Sequence, residues 1–331
     1  VYSSYDNSSL VKIISLLKSQ KLEYLSGVDL SESLCLSRAA IWKQIKKLQS
    51  LGYKIDSKPK VGYKLLKKTK LLLPWEITDG LKTTLFGKNI YYFDTIDSTQ
   101  DFALGISSRK QENGTVVISQ KQTHGRGRLN RRWASPRGGI WLSLIIRPEF
   151  ELSAITLFPI ITALALAIAV EKVLKIKPEI KWPNDLTLAD KKIAGILVDA
   201  SLESNKIDYL VIGVGINFKI DPTEVERVIK RTVNYGVTTL VGTNNKTEPV
   251  KLVQAFLFEL ERFCDILLKN NTKYIIKEWT KRSSTIGQVI TVSTSCGKIK
   301  GKAIRLDSDG ALVISNKDKV ERIFVGDVID T

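Results

Sequence analysis

The 331-residue chain is 43% hydrophobic and 26% charged, with a formal net charge of +17. That balance describes two or three soluble domains with full cores and excludes a disordered or low-complexity protein. The cysteines, Cys35, Cys264 and Cys296, are scattered and the lone histidine is His124, so neither a disulfide framework nor a zinc site is expected and a reducing cytoplasm fits. Residues 8–19 begin with serines able to cap, and Leu10, Val11, Ile13, Ile14, Leu16 and Leu17 then make a short apolar helix. Ser26-Gly-Val-Asp29 has the Ser-x-x-acid capping pattern and opens a second helix running to about Leu34. Ser37 caps a third, in which Ile41, Ile45, Leu48 and Leu51 recur at helical spacing.

Residues 52–66 read as a basic β-hairpin turning at Ser57-Lys-Pro-Lys-Val-Gly62. Three helices and such a hairpin make a winged helix-turn-helix over residues 1–66. Residues 1–70 hold 14 Lys/Arg against 5 Asp/Glu, so a polyanion is the expected partner. Candidate DNA contacts are Ser37, Arg38, Lys43, Gln44 and Lys47 on the third helix, with Lys58 and Lys60 on the wing. These small, basic and amide side chains are the types that read base edges and hold phosphates. Protein docking is the other use of this fold.

Residues 67–84 read as a linker leading into a short helix. A strand follows at Ile90-Tyr-Tyr-Phe93, then a helix that Asp97 or Ser98 can cap, then a strand at 115–119. Between that strand and the next, at 139–146, lies Gln122-Thr-His-Gly-Arg-Gly-Arg-Leu-Asn-Arg-Arg-Trp133, with four arginines and two glycines in eight residues. Glycine lets the backbone close on a ligand and arginine offers planar charged donors, so a carboxylate or phosphate ligand suits the loop. A solvated basic loop or a nucleic-acid patch fits the same residues.

Residues 152–170 carry no charge, but Pro159, the alanines and the following Glu171-Lys172 point to a buried helix over about 153–175 and not a membrane span. No secretory leader opens the sequence. Strand runs at 179–180, 186–190, 191–198 and 209–217, with a hairpin turn at Asp190-Lys191, precede helices over 249–269 and 271–282. From Ile286, short β runs divided by Asp307-Ser-Asp-Gly310 and Asn316-Lys-Asp-Lys319 read as a small barrel of about 45 residues.

Common nucleotide motifs fail. No Gly-Lys pair has the spacing or the Ser/Thr of a P-loop, and Gly125-x-Gly127 and Gly213-x-Gly215 lack the third glycine of a dinucleotide fingerprint. No Gly-x-Ser-x-Gly elbow is present, so nucleophilic hydrolysis is not supported. What remains is a strand-rich site of Arg, Lys, Asn and Asp, suited to neutralising phosphates by position and charge, as an adenylating enzyme does.

Five segments then occur in order: Asp97-Ser-Thr99, Gln122-x-x-Gly-Arg-Gly-Arg128 through Arg-Arg-Trp133, Lys181-Trp-Pro-Asn-Asp185, Lys192-Ile-Ala-Gly-Ile-Leu197 and Gly213-x-Gly-Ile-Asn217. Together they resemble biotin protein ligases, and with the winged helix the whole chain resembles the bifunctional biotin ligase and biotin operon repressor family. The resemblance implies a multidomain α+β protein: winged helix (1–66), linker (67–84), central α/β catalytic domain with a mixed sheet (85–283) and C-terminal SH3-like β-barrel (284–331). It implies a ligase that forms biotinyl-5′-AMP from biotin and ATP with Mg²⁺, then biotinylates a lysine of a biotin carboxyl carrier protein. It also implies biotin-dependent repression at operator DNA by a homodimer favoured by the adenylate.

Carried over by position, Ser98, Thr99 and Gln122 bind the ureido ring, and Arg126, Gly127 and Arg128 line the carboxylate and phosphate region. Lys192 neutralises charge at the α-phosphate, Asn217 holds phosphates with Mg²⁺, Trp133 packs near the nucleotide, Gly195 joins the ligand-binding set, and Asp185 faces the incoming lysine. Gln100 stands where the family usually has Asn, which lengthens the amide by one methylene. Trp133 and Trp182 as core aromatics, and Asp185 as a turn residue, are the ordinary structural uses of these types. A biotin sensor without catalysis and a lipoate-type ligase are the rival readings; the phosphate-facing set argues against the first, the ureido-type set and the C-terminal barrel against the second.

Overall fold

The computed structural model describes residues 1–3, 8–20, 23–107, 113–147, 149–203, 206–229, 236–242, 247–316 and 319–330. A two-residue strand β1 (Tyr2–Ser3) precedes the helices α1 (Ser9–Ser19), α2 (Gly27–Leu34) and α3 (Arg38–Ser50) and the hairpin β2 (Lys54–Lys58) and β3 (Gly62–Lys67). Ser26 and Ser37 cap as expected: their hydroxyls accept from Val28 N and Ala40 N, each at 3.1 Å. Leu10, Ile13, Ile14, Leu17, Leu30, Ile41, Ile45 and Leu48 form the interior of this unit. Gly62 is required at the wing: its φ is +132°, and a Cβ would collide with the Leu25 carbonyl, whose residue bridges to Tyr63.

Residues 67–84 are not a free linker. Leu72 and Leu73 are fully buried, and a short helix α4 (Pro74–Thr78) buries Trp75, Glu76 and Ile77. The apolar run Leu71-Leu-Leu73 drives this, since three leucines and a tryptophan cannot stay in water without cost. Glu76 is held by Tyr53 Oη and by Lys18 Nζ at 2.7 Å, and Trp75 Nε1 donates to Tyr53 Oη at 2.7 Å, so the buried carboxylate is paired. Burial, with the Glu76 charge, pushes the Tyr53 hydroxyl well above its ordinary pKa.

The central part contains β4 (Ile90–Phe93), α5 (Thr99–Ile106), β5 (Val116–Ser119), β6 (Ile140–Ile146), α6 (Leu157–Leu174), β7 (Glu179–Lys181), β8 (Asp185–Leu188), β9 (Lys191–Glu203), β10 (Lys206–Ile216), α7 (Pro222–Ile229), α8 (Pro249–Leu268) and α9 (Thr272–Thr280). The strands make one mixed sheet in the order β1-β4-β5-β6-β10-β9-β8-β7, parallel only between β4 and β5. Alternation along each strand sends Val117, Ile145 and Val211 to α5 and Val116, Ile118 and Leu142 to the main core with α6 and α8. The charge-free stretch of helix α6 is this core, with 13 residues from Leu157 to Val170 buried, and Pro159 falls in the helix's first turn, where its missing N–H costs nothing.

The turn between β8 and β9 is Ala189-Asp190, one residue earlier than expected. Both have positive φ, +48° and +58°, the primed geometry that a two-residue hairpin loop needs. Strands β9 and β10 also run beyond the expected bounds, because their outer halves pair with each other from Lys206↔Glu203 inward. Helix α7 and the segment after it carry no expectation from sequence.

The C-terminal part is a five-stranded antiparallel sheet: β11 (Val289–Thr294), β12 (Gly297–Leu306), β13 (Leu312–Asn316), β14 (Lys319–Ile323) and β15 (Asp327–Asp330), in the order β14-β13-β12-β11-β15. The Asp307–Gly310 turn is present, with Gly310 at φ +84° and its N–H donating to Asp307 O at 2.9 Å. The expected turn at 316–319 falls partly on residues 317–318, outside the described residues.

Candidate functional site

A cavity of about 290 Å³ opens over the middle of the mixed sheet. Its floor is β6, β9 and β10, its walls the first turn of α5 and the arginine loop, and its rim Asp327, Val328 and Ile329 of β15. Of the expected ligand residues, Thr99, Gln100, Gln122, Arg126, Gly127, Arg128, Trp133, Asp185, Lys192, Gly195 and Asn217 all line it. Five segments separated by up to 118 positions (Thr99 to Asn217) therefore meet in one place.

Ser98 is the exception. Its side chain is 2% exposed and caps α5, accepting from Asp101 N at 3.2 Å, while Asp97 instead accepts from Thr123 Oγ1. Ser98 thus acts on the cavity by fixing the helix start. Gln122 Oε1 accepts from Thr99 N at 2.8 Å and lies 3.1 Å from Thr99 Oγ1, and Gln122 Nε2 donates to Ser135 Oγ at 2.8 Å. His124 lies outside, exposed, with Nδ1 3.5 Å from Asp97 Oδ1.

The loop arginines are held by acids that sequence reading did not single out. Arg126 Nη1 lies 2.8 Å from Asp101 Oδ1 and 3.3 Å from Asp199 Oδ2. Arg128 Nη1 donates to Asn184 Oδ1 at 3.0 Å and Asp327 Oδ1 at 3.3 Å, and its Nη2 donates to Gly326 O at 3.1 Å. Arg131 pairs with the same Asp327. Each of these guanidinium groups is thereby held in place by a carboxylate from another element.

Lys192 turns inward, as expected, and its Nζ lies 2.6 Å from Asp185 Oδ1. Both are largely covered, Asp185 being 8% exposed, which strengthens the pair relative to a surface one. Neighbouring Lys181 is pushed below its ordinary pKa by burial, against the pull of Asp185. The same ammonium of Lys192 sits 5.1 Å from the Trp133 ring centroid. Trp133 lies against Gly195 and Gly215: a Cβ at Gly195 would be 2.8 Å from the indole, and one at Gly215 would collide with it. Those glycines make the slot for the ring, so Trp133 is a wall of the cavity, backed by Ala134, Trp141, Val225 and Val237.

Asn217, 2% exposed, donates from Nδ2 to Lys192 O at 3.2 Å. Its Oδ1 is buried without a hydrogen-bond partner among the described residues. A lone buried amide oxygen facing a cavity is a site for a ligand donor or a hard cation. Among the described residues no group of three or more His, Cys, Asp or Glu is placed to hold a metal ion.

On the winged helix, Arg38, Lys43 and Lys47 of α3 and Lys58 and Lys60 at the hairpin tip are exposed, while the Ser37 hydroxyl is committed to its cap. Lys47 Nζ lies 5.5 Å from the Tyr2 ring centroid, pointing toward β1. Gln44 differs from expectation: it is half-buried and its Oε1 is covered, because it sits beside the core positions Ile41 and Ile45. Trp42, not singled out from sequence, is 52% exposed on the same helix.

Residues 92–217 match the Biotin/lipoate A/B protein ligase family and residues 10–64 match an HTH domain. The chain is 31% identical over 318 residues to the bifunctional ligase/repressor BirA of Bacillus subtilis, covering 96% of this chain and 97% of that one. It is 29% identical over 324 residues to the Escherichia coli protein of the same name, covering 98% and 97%. Among solved structures, the biotin protein ligase from Aquifex aeolicus in complex with biotin and ATP aligns with a TM-score of 0.60 at 25% identity, covering 72% of this chain and 97% of that one.

Proposed function

This chain belongs to the BirA family of bifunctional ligase/repressors, and from that premise we propose how its cavity and its winged helix work. It is a biotin–[acetyl-CoA-carboxylase] ligase: it joins biotin to ATP, releasing pyrophosphate, and passes the biotinyl group of biotinyl-5′-AMP to a lysine of a biotin carboxyl carrier protein. It is also a biotin-dependent DNA-binding repressor of biotin genes. The observation that carries the catalytic half is the convergence of Arg126, Arg128, Lys192 and the partnerless Asn217 oxygen on one cavity. A protein that only sensed biotin has no use for a phosphate-facing set.

Thr99 and Gln122 take the ureido ring, with Ser98 acting through the helix cap. Arg126 and Gly127 take the biotin carboxylate, and Arg128 the α-phosphate, exchanging Asn184 and Asp327 for it. Lys192, released from Asp185, follows the negative charge that develops as the carboxylate attacks phosphorus. Asp185 then carries a free carboxylate, placed to orient the incoming carrier lysine or take its proton. Trp133 in its glycine slot closes the nucleotide side and keeps water from the mixed anhydride.

The Asn217 oxygen, a hard neutral donor, would hold Mg²⁺. When bound, the ion offsets phosphate charge. Operator DNA meets Arg38, Lys43 and Lys47 and the wing lysines Lys58 and Lys60, and two copies pair when the adenylate is held, which links ligand to DNA affinity. We read the C-terminal sheet as an SH3-like barrel, the boundaries as 1–66, 67–84, 85–283 and 284–331, and the location as cytoplasmic.

The test is to supply biotin, ATP-Mg²⁺ and a carrier domain and to follow pyrophosphate and carrier mass. Release with biotin and a mass gain of one biotinyl group are expected; release with lipoate and none with biotin overturns the assignment. Retardation of biotin-gene operator DNA that strengthens with biotin and ATP is expected in parallel, and no retardation at low salt overturns the repressor half.

A further inference from the structure

Arg126 is shared by two acids from different elements, Asp101 in the first turn of α5 and Asp199 on β9. Asp199 also accepts, through the same Oδ2, a hydrogen bond from Gln100 Nε2 at 3.1 Å. Gln100 is 3% exposed and its amide donors are fully used: the other N–H goes to Val211 O at 2.9 Å, and Oε1 accepts from Ser143 Oγ at 2.9 Å. Ser143 Oγ lies 3.0 Å from Thr99 Oγ1, which touches Gln122. A continuous polar chain therefore joins the carboxylate end of the cavity to the ring end. Glycine at 213 makes room for it, since a Cβ there would be 2.5 Å from Gln100 Oε1.

We propose that Gln100 and Asp199 are a length-matched pair that positions Arg126, and that Asp199 keeps this arginine while Asp101 gives it up to the ligand carboxylate. The proposal rests on the ligase reading. Both donors of Gln100 are spent inside the protein, so its contribution to the ligand is made through its neighbours. The pair must match in length: an Asn at 100 falls short by roughly 1.5 Å and cannot reach Asp199 and Val211 O together. A Glu at 199 restores that reach. The two acids differ in cover, with side-chain exposures of 56% for Asp101 and 28% for Asp199. The better solvated carboxylate loses less when its arginine leaves, so Asp101 is the one exchanged.

Pyrophosphate release by the full-length chain, measured against biotin and against ATP, tests this. Gln100→Asn and Asp199→Ala should each raise KM for biotin about tenfold and leave KM for ATP within about twofold. The double variant Gln100→Asn/Asp199→Glu should return KM for biotin to within about threefold of the parent. Asp101→Asn should move it the other way, lowering it about two- to threefold, a sign that general destabilisation does not produce. Single variants with the parent's biotin KM, a double variant no better than the worse single, or Asp101→Asn weakening biotin like Asp199→Ala each overturn the proposal. An unsubstituted chain that releases no pyrophosphate with biotin overturns the ligase reading instead.

Discussion

The arginines of the 126–131 loop and the cations of α3 and the wing carry the same charge in opposite conditions. Arg126, Arg128 and Arg131 are each tied to a carboxylate from a distant helix or strand. Arg38, Lys43 and Lys60 are exposed and make no salt bridge to any described residue. A tied guanidinium has a direction before the ligand arrives and so reads the geometry of one small anion. An untied ammonium reads charge density, which is what a phosphate polymer offers. Composition alone made these two regions look alike; their partners separate them.

The comparison is broken if charge in either region serves the other's task. The largest effect expected is from Lys192→Ala, which should lower the turnover of pyrophosphate release by roughly 10²- to 10³-fold, as loss of one transition-state donor does, with ligand-free DNA retardation unchanged. Next, replacing Lys58 and Lys60 together by alanine should reduce the salt dependence of operator binding by about two units of log–log slope, in a filter-binding titration, with pyrophosphate release unaffected. If the wing lysines alter adenylation, the separation fails.

The smallest effect concerns two cations that do have an acid, Lys18 on α1 and Lys68 just after β3. Asp79 accepts from Lys18 at 3.2 Å and from Lys68 at 3.4 Å. Partial burial pushes its carboxyl up, but the two ammonium groups outweigh this and hold it below the ordinary value. A depressed carboxyl stabilises the fold above the ordinary carboxylate pKa, and that contribution is lost as pH falls through the lowered value. Asp79 and Lys68 are about half exposed, so solvent screening limits the contribution to about 0.5 kcal/mol. Urea midpoints of the parent and Asp79→Asn should therefore converge in acid and separate slightly near neutrality.

Much of this was legible from residues near each other in the chain. Ser26 and Ser37 announced helix starts because a capping hydroxyl works within three residues. The five ligase segments were likewise local strings, and Lys192 rather than Lys191 turned inward. What stayed hidden depends on distant partners. Asp199, Asp327, Val225 and Val237 carry no local mark; they join the site only because β9, β15, α7 and residues 236–242 close around it. The stretch 67–84 looked like a linker because its value lies in what Leu72, Leu73 and Trp75 pack against. Gln44 was read by type as a base reader, but the helix places it beside Ile41 and Ile45, where its oxygen is covered.

The slot formed by Gly195 and Gly215 has an optical consequence. It seats one of six tryptophans at the cavity wall with a lysine ammonium 5.1 Å from the ring centroid. Trp141, Trp182 and Trp279 are buried and do not line the cavity. If Lys192 leaves Asp185 for a phosphate, as proposed, the field across the Trp133 indole changes, and tryptophan emission should shift on adenylate formation without any label.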